Sequence, residues 1–265
     1  MLYYPQLSSG GTSQFPIARQ EAHRTVQSAM PSGATIRSLD AGADSVQWKL
    51  TYSHLTDAEW AAIESLYKAA QGRLNAFTFL DPTDNLLAWS SDLTNSVWTM
   101  DPMVTVGGGI GDPNGGTGAF QLTNGGQTPQ GVGQTLPAPA GLIYAFSAYV
   151  SSAAPASVSL VATDGTAVLH ETVNTTAGWT RVQMESLLAS SQGKITFRIE
   201  LAPGAQVNVF GPQVEAQPTA SLYKATAGRG GVYPESRFAQ DEIQRVSTGV
   251  NQNSAVIQIF TTIPD

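Results

Sequence analysis

The sequence predicts a mainly β protein: a discontinuous α+β domain of β-sandwich type with one capped helix, interrupted by an inserted antiparallel β-sandwich or jelly roll. Three observations predict it. Residues 45–80 read as strand, helix and strand in close succession, and residues 86–223 read as many short strands separated by Gly, Pro, Asn and Ser clusters. The closing run SAVIQIFTTI is a strong apolar strand that cannot stand alone and needs a sheet to join.

In SVQWKLTYS, Val46, Trp48, Leu50 and Tyr52 alternate with Gln47, Lys49 and Thr51, the period of two expected for a strand with one buried face. A helix follows. Thr56 is a good N-cap, Glu59 completes a capping box, and Asp57 places negative charge at the positive end of the helix dipole. Trp60, Ile63, Leu66, Tyr67 and Ala70 then recur at three- and four-residue spacing, and Gly72 is placed to end the helix in the left-handed region. NAFTFL is the next strand, with Phe77 and Phe79 on one face. Trp48, Trp60, Ile63, Tyr67, Phe77 and Phe79 are therefore expected to form a core.

Beyond the acidic turn DPTDN the texture changes. No Lys or Arg occurs between Arg73 and Arg181, and GAFQLT, LIYAFSAYV, SVSLVAT, AVLHETV, WTRVQMES, KITFRIEL and QVNVFGPQVEA are candidate strands at roughly ten-residue spacing. The run VGGGIGDPNGGTG lacks the Lys-Ser/Thr ending and following helix of a phosphate loop, so it reads as a mobile surface loop. After Tyr223, KATAGRGG reads as a flexible connector. The expected organisation is one domain made of residues 1–85 and 224–265, with residues 86–223 inserted at the exposed turn. Residues 1–44 are placed only as strands and a contact arm.

Composition narrows the function. Charged residues are 12% of the chain, against roughly 25% in typical domains, and 26 Gly and 15 Pro give a turn-rich character. A net charge of −7 with no basic cluster argues against nucleic acid and anionic membranes as partners. The absence of cysteine removes disulfides and thiolate metal sites. The amino terminus, MLYYPQLSSGGTSQFPIARQ, does not read as a signal peptide, and no apolar run is long enough for a membrane helix, so a protein folded in the cytoplasm that makes it is expected. His23, His54 and His170 are scattered singles without ligand spacing. No cofactor is expected, while a structural Ca²⁺ held by jelly-roll carboxylates and backbone carbonyls stays open.

WKLTYSHLTDAEWAAIESLYKAAQGRLNAFTFLDP, followed much later by GVYPESRFAQDEIQRV and a final β run, resembles the ring-forming (belt) domain of phage distal tail (baseplate hub) proteins and their gene-transfer-agent relatives. The positions that carry it are Trp48, Leu55, Thr56, Glu59, Ile63, Leu66, Tyr67, Gly72, Phe77, Phe79, Asp81 and Pro82. Within the insert, NLLAWSSDLTNSVWTM, YAFSAYV, GWTRV and VFGPQVEAQPTASLYKAT resemble the carbohydrate-binding-module-like jelly rolls of phage tail and baseplate proteins, at positions that include Asn85, Trp89, Ser90, Trp98, Tyr144, Ser147, Trp179, Arg181, Gly211, Gln213, Glu215 and Tyr223.

The resemblance implies a virion structural protein of the tail tip, not an enzyme. It would form a ring, usually hexameric, of copies of itself between the tail tube protein and the tail hub and tip proteins, and display the jelly roll toward host surface polysaccharide. Trp89, Trp98, Tyr144 and Trp179 are the candidate sugar-stacking residues, because saccharides bind by laying apolar ring faces on flat aromatics. Their competing reading is jelly-roll core. Alternatives are a monomeric carbohydrate-binding adhesin or minor tail protein, and a glycoside hydrolase or depolymerase using two of Asp101, Asp112, Asp164, Glu171 and Glu185, although no local signature singles out a pair.

Overall fold

The computed structural model describes residues 1–40 and 42–263. Its elements begin with β1 (Ile17–Ala22), β2 (Thr25–Ala29), β3 (Thr35–Leu39), β4 (Asp44–Leu55), α1 (Asp57–Ala70) and β5 (Phe77–Leu80). There follow β6 (Thr99–Met100), β7 (Val104–Ile110), β8 (Ala119–Asn124), β9 (Gln130–Leu136), β10 (Tyr144–Ser151) and β11 (Ala156–Thr163). The chain continues with β12 (Val168–Thr175), β13 (Thr180–Ser186), β14 (Ile195–Leu201) and β15 (Gln206–Glu215), and ends with β16 (Val232–Phe238), β17 (Arg245–Gly249) and β18 (Gln252–Ile263). The fold is mainly β with a single helix among the described residues.

Two compact units result. The first holds residues 1–8, 13–79 and 233–265, and the second holds 9–12 and 80–232. Residues 80–85 and 224–232, expected in the domain built from the chain ends, thus fall in the second unit. KATAGRGG is not a free connector: Thr226 is buried and its hydroxyl donates to the Leu87 carbonyl at 2.7 Å. Gly230 lies so close to the Leu86 carbonyl that a Cβ there would stand 2.1 Å from its oxygen, which only glycine permits.

In the first unit the sheet runs β1-β4-β18-β16-β5, with β17 paired to β18. β4 and β18 are antiparallel along their length, from Asp44 opposite Ile263 to Leu55 opposite Asn253. The alternation of β4 decides its faces: Val46, Trp48, Leu50 and Tyr52 are buried, whereas Lys49, Thr51 and Ser53 are exposed. Ala255, Ile257 and Ile259 of β18 and Trp60, Ile63, Leu66 and Ala70 of α1 close the same core. Trp48 lies 4.9 Å from Phe79 and 4.7 Å from Tyr233 between ring centroids, and Phe77 lies 4.9 Å from Phe238. Tyr67 is only half-buried and leans edge-on to Phe238 at 5.2 Å. β2 and β3 form a separate two-stranded hairpin whose ten residues are all exposed.

The helix starts as its capping box dictates. Thr56 Oγ1 accepts the Glu59 N–H at 3.2 Å, and the Glu59 carboxylate accepts the Thr56 N–H at 2.8 Å. The helix ends one residue before the glycine, at Gln71, which itself takes φ +54°. Desolvation alone would raise the Glu59 pKa. Hydrogen bonds from the Ser8 hydroxyl and N–H and from the Thr56 N–H and hydroxyl override it and lower the pKa to about 2. A carboxyl with a depressed folded pKa contributes stability that is present above its ordinary value and is lost as pH falls through the folded value. Glu59→Ala is therefore expected to cost about 1 kcal/mol at pH 7, with the gap to the unsubstituted protein narrowing below pH about 4 and closing near pH 2. Urea unfolding across that range checks it, and a gap independent of pH would overturn it.

The second unit is an antiparallel β-sandwich. One sheet runs β13-β10-β15-β8-β7 and the other β12-β11-β14-β9-β6. Their facing sides bury Tyr144, Phe146, Ala148 and Val150 of β10, Val207 and Val209 of β15, and Phe197, Ile199 and Leu201 of β14 in one core. The glycine run read as a loop is half strand: Val104–Ile110 is the edge strand β7, and only residues 111–118 turn back to β8. Glycines carry no side-chain pattern, so the pairing is visible only in three dimensions.

Candidate functional site

The outward face of the sheet β13-β10-β15-β8-β7 gathers chemistry that the sequence scatters. Along β10, Tyr144, Phe146, Ala148 and Val150 point into the sandwich, which puts Ala145, Ser147, Tyr149 and Ser151 on the other side of the sheet, where Ala145, Ser147 and Ser151 are themselves covered and Tyr149 is half-buried. Antiparallel register then sets Arg181 of β13 on one side of Tyr149 and Phe210 of β15 on the other. The Tyr149 and Phe210 rings are 6.0 Å apart, and Tyr223 stands edge-on to Phe210 at 5.3 Å. All three rings are half-buried. The Arg181 guanidinium lies 5.4 Å from the Tyr149 ring centroid, within cation–π range.

Local backbone places these rings. The β10–β15 register slips between Ser147 and Tyr149, and Gly211 beside the slip has φ +61°. A Cβ on Gly211 would meet the Tyr223 ring at 3.0 Å, so the ring rests directly on strand backbone. Tyr223 is held at its far end by the hydroxyl it shares with Ser90 at 3.1 Å. Burial raises its phenol pKa above the ordinary value, only partly opposed by that hydrogen bond. The loop that carries Tyr223 is tied down by Gln213 and Glu215. Gln213 accepts the Lys224 N–H at 2.6 Å, while buried Glu215 accepts the Ser221 hydroxyl at 2.6 Å and ion-pairs with Lys224 at 3.1 Å. The motif residues Gly211, Gln213, Glu215, Ser221 and Tyr223 thus build the aromatic wall.

Beside the rings runs a polar row. Asn208 Nδ2 reaches Ser151 Oγ at 3.4 Å, Gln121 Nε2 donates to Asn208 Oδ1 at 3.3 Å, and Gln206 Nε2 donates to Gln121 Oε1 at 3.0 Å. At its edge the 111–118 turn folds around Asp112, whose carboxylate accepts N–H groups of Asn114, Gly116 and Gly118 at 2.8, 3.1 and 3.0 Å. The Gly118 N–H, with the other two, lowers the Asp112 pKa despite some desolvation. Gly118 in turn borders Phe210.

The four aromatic residues expected to stack sugar fare differently. Trp98 is buried, with Nε1 donating to the Trp89 carbonyl at 3.0 Å. Tyr144 has no exposed surface: its hydroxyl donates to the Pro139 carbonyl at 2.6 Å and its ring meets Phe197 at 5.5 Å. Both belong to the core: strand alternation sends Tyr144 inward, and Trp98, in the bend just before β6, packs into the same cluster. Trp89 is half-buried in a loop at φ +49°, next to Ser90. Trp179 is half-buried just before β13, on the same alternation as Arg181, and so stays at the margin of this face. Phe210 was missed as a site residue, and its signal was the alternation of QVNVFG against the inward Val207 and Val209.

Of the five carboxylates available to a hydrolase, Asp101 pairs with Arg198 and accepts the Gly131 N–H at 2.8 Å, and Asp112 holds its turn as described. Asp164 accepts the N–H groups of Thr166 and Ala167 at 2.8 and 2.7 Å. Glu171 and Glu185 are exposed on β12 and β13. Among the described residues, no group of three His, Cys, Asp or Glu is arranged to hold a metal ion.

No family model and no curated protein matches this chain. Among solved structures it is similar to a C-terminal family 22 carbohydrate-binding module of Clostridium thermocellum Xyn10B, at 14% identity over 54% of this chain and 99% of that one, with a TM-score of 0.43. It is also similar to the CBM22-1 xylan-binding domain of Paenibacillus barcinonensis Xyn10C, at 18% identity over 52% and 97% and a TM-score of 0.42. A third is TmCBM61 in complex with β-1,4-galactotriose, at 16% identity over 49% and 97% and a TM-score of 0.37. The resemblance to phage distal tail proteins rests on the sequence motifs alone.

Proposed function

We propose that the second unit is a non-catalytic saccharide-binding module that works through the outward face of β13-β10-β15-β8-β7. One observation carries the reading: three half-buried aromatic rings, Tyr149, Phe210 and Tyr223, stand side by side next to a row of side-chain amides from Asn208, Gln121 and Gln206. Pyranose rings offer apolar C–H faces to such rings and hydroxyls to such a row. Neither a carboxylate pair nor a bound cofactor enters the reading.

The test is a glycan array with the full chain, followed by titration of any hit. Phe210→Ala, which removes the central ring, is expected to weaken binding about tenfold, since the apolar contact of one aromatic face is worth roughly 1.5 kcal/mol. Unchanged affinity in that variant, with its fold intact, would move the site elsewhere.

A second reading covers the first unit. The β2–β3 hairpin exposes all ten of its residues, including Val26 and Ile36, and an isolated two-stranded hairpin is marginal in water without something to lie against. Together with the motif resemblance this favours assembly of copies into a ring at a phage tail tip, made in the host cytoplasm, with tail tube and hub proteins above and below. Sizing the chain with and without residues 23–40, alone and mixed with phage tail tube and hub proteins, tests this. A monomer under every condition would leave the adhesin reading.

A further inference from the structure

We propose that the saccharide bound on this face is anionic, and that Arg181 receives its acidic group. The inference rests on the saccharide-binding reading above. The sandwich carries an arginine on the outer face of each sheet, and the two are treated differently. Arg198, on β14, pairs with Asp101 and with Glu200 at 3.0 Å, so its charge is matched twice. Arg181, on β13, makes one hydrogen bond, from Nη2 to Ser147 Oγ at 3.0 Å, and lies over the Tyr149 ring. Among the described residues it has no carboxylate partner, and its Nε is buried with no hydrogen-bond acceptor.

Such a state is costly. A half-buried guanidinium with an unmet buried donor has lost water without gaining a counter-charge, and chains usually mend that with an acid on a neighbouring strand. The neighbours here are neutral: Ser147 and Tyr149 on β10, and Gln183 two residues along β13. Glu215 is already committed to Lys224 and Ser221, and Glu185 lies in the row of Ala145, beyond Gln183. Arg181 as a whole is only half-buried, so the counter-charge its guanidinium lacks is supplied from outside. A carboxylate suits the planar fork of the guanidinium, and a sulfate ester offers the same charge with other geometry. Because Arg181 flanks Tyr149, an acidic group on a sugar stacked against Tyr149 and Phe210 falls beside the cation. Uronate- or sialate-containing oligosaccharides fit that description, and unsubstituted neutral xylan or galactan does not.

The experiment uses the full chain and matched pairs of oligosaccharides: oligogalacturonate beside its methyl-esterified form, a sialylated glycan beside the desialylated one, and a sulfated galactan fragment beside the desulfated one. The acidic member of at least one pair is expected to bind at least about tenfold tighter, with that preference fading as salt rises. Arg181→Gln is expected to abolish the preference, and Arg181→Lys to keep part of it as a point charge without the fork. Preference within the carboxylate pairs alone identifies the acid as a carboxylate, and within the sulfated pair alone as a sulfate. Equal or tighter binding of the neutral members overturns the inference while leaving saccharide binding standing. Binding of none of the six, and of nothing on the array, sinks the saccharide reading itself.

Discussion

Trp48→Ala is expected to cost the first unit about 3–5 kcal/mol, near the upper end for a single large-to-small core change. Trp48 has no exposed surface and sits between Phe79 and Tyr233, opposite Arg19 on β1 and Ile259 on β18. Its ring is therefore shared by the strand contributed early in the chain and the strand contributed at its end. Truncation leaves a void lined by rings that strand geometry holds apart, and rigid walls relax little. At about 1.4 kcal/mol per tenfold, amide hydrogen exchange along β4 and β18 should accelerate by roughly two to three and a half orders of magnitude where it proceeds through opening of the unit. Lys49→Ala, one residue along on the exposed face, should change it by less than about threefold. A Trp48→Ala effect no larger than that of Lys49→Ala would mean that β4 and β18 do not share the core described here.

How far the fold was legible follows from where side-chain pattern and pairing coincide. β4, α1 and the closing strand β18 each bury one face, so periodicity alone marks them, and Thr56 and Glu59 form the capping box that their spacing requires. The sandwich strands from GAFQLT to QVNVFGPQVEA were legible for the same reason. β7 was not, because Gly107, Gly108 and Gly109 bear no side chains to alternate. KATAGRGG misled in the opposite sense, since Gly230 is required by its close approach to the Leu86 backbone, and Gly231 packs tightly against Asp81, Asp84 and Leu86.

The site was harder to read than the fold. In LIYAFSAYV both alternating sets contain aromatics, so the sequence could not say whether Tyr144 and Phe146 or Tyr149 faced out. The core settled it for Tyr144 and Phe146, and Tyr149 remained outside. Its companions Phe210 and Tyr223 come from distant parts of the chain, brought in by β10–β15 pairing and by a loop folded back over Gly211. Choosing tryptophans favoured the largest aromatics, which are also the ones that most reward burial, and Trp98 shows the result.

Asn85→Ala is expected to destabilise the second unit by about 3–5 kcal/mol, because several buried backbone groups each lose a partner worth about 1–3 kcal/mol. The side chain is fully buried and uses both ends. Its Nδ2 donates to the carbonyls of Pro212 and Lys224 at 2.9 and 3.2 Å, and its Oδ1 accepts the N–H groups of Val214 and Leu87 at 3.0 and 3.1 Å. One residue thereby fixes the segment after Asp84, the strand after Gly211 and the loop that holds Tyr223. Saccharide affinity should fall together with stability, since Pro212 and Val214 immediately follow the backbone on which Tyr223 rests. Asn85→Asp separates geometry from charge. The aspartate keeps two acceptors, loses the donors, and at neutral pH puts a negative charge against two carbonyls in a dry site, so burial should raise its pKa. A raised folded pKa means that the variant recovers stability as pH falls and the carboxyl becomes able to donate again. Urea unfolding at pH 7 and pH 5 reads this directly: Asn85→Ala should be equally damaged at both, and Asn85→Asp less damaged at the lower. A loss under about 1 kcal/mol for Asn85→Ala would show that water replaces its hydrogen bonds, and the aromatic wall would then depend on Gln213 and Glu215 alone.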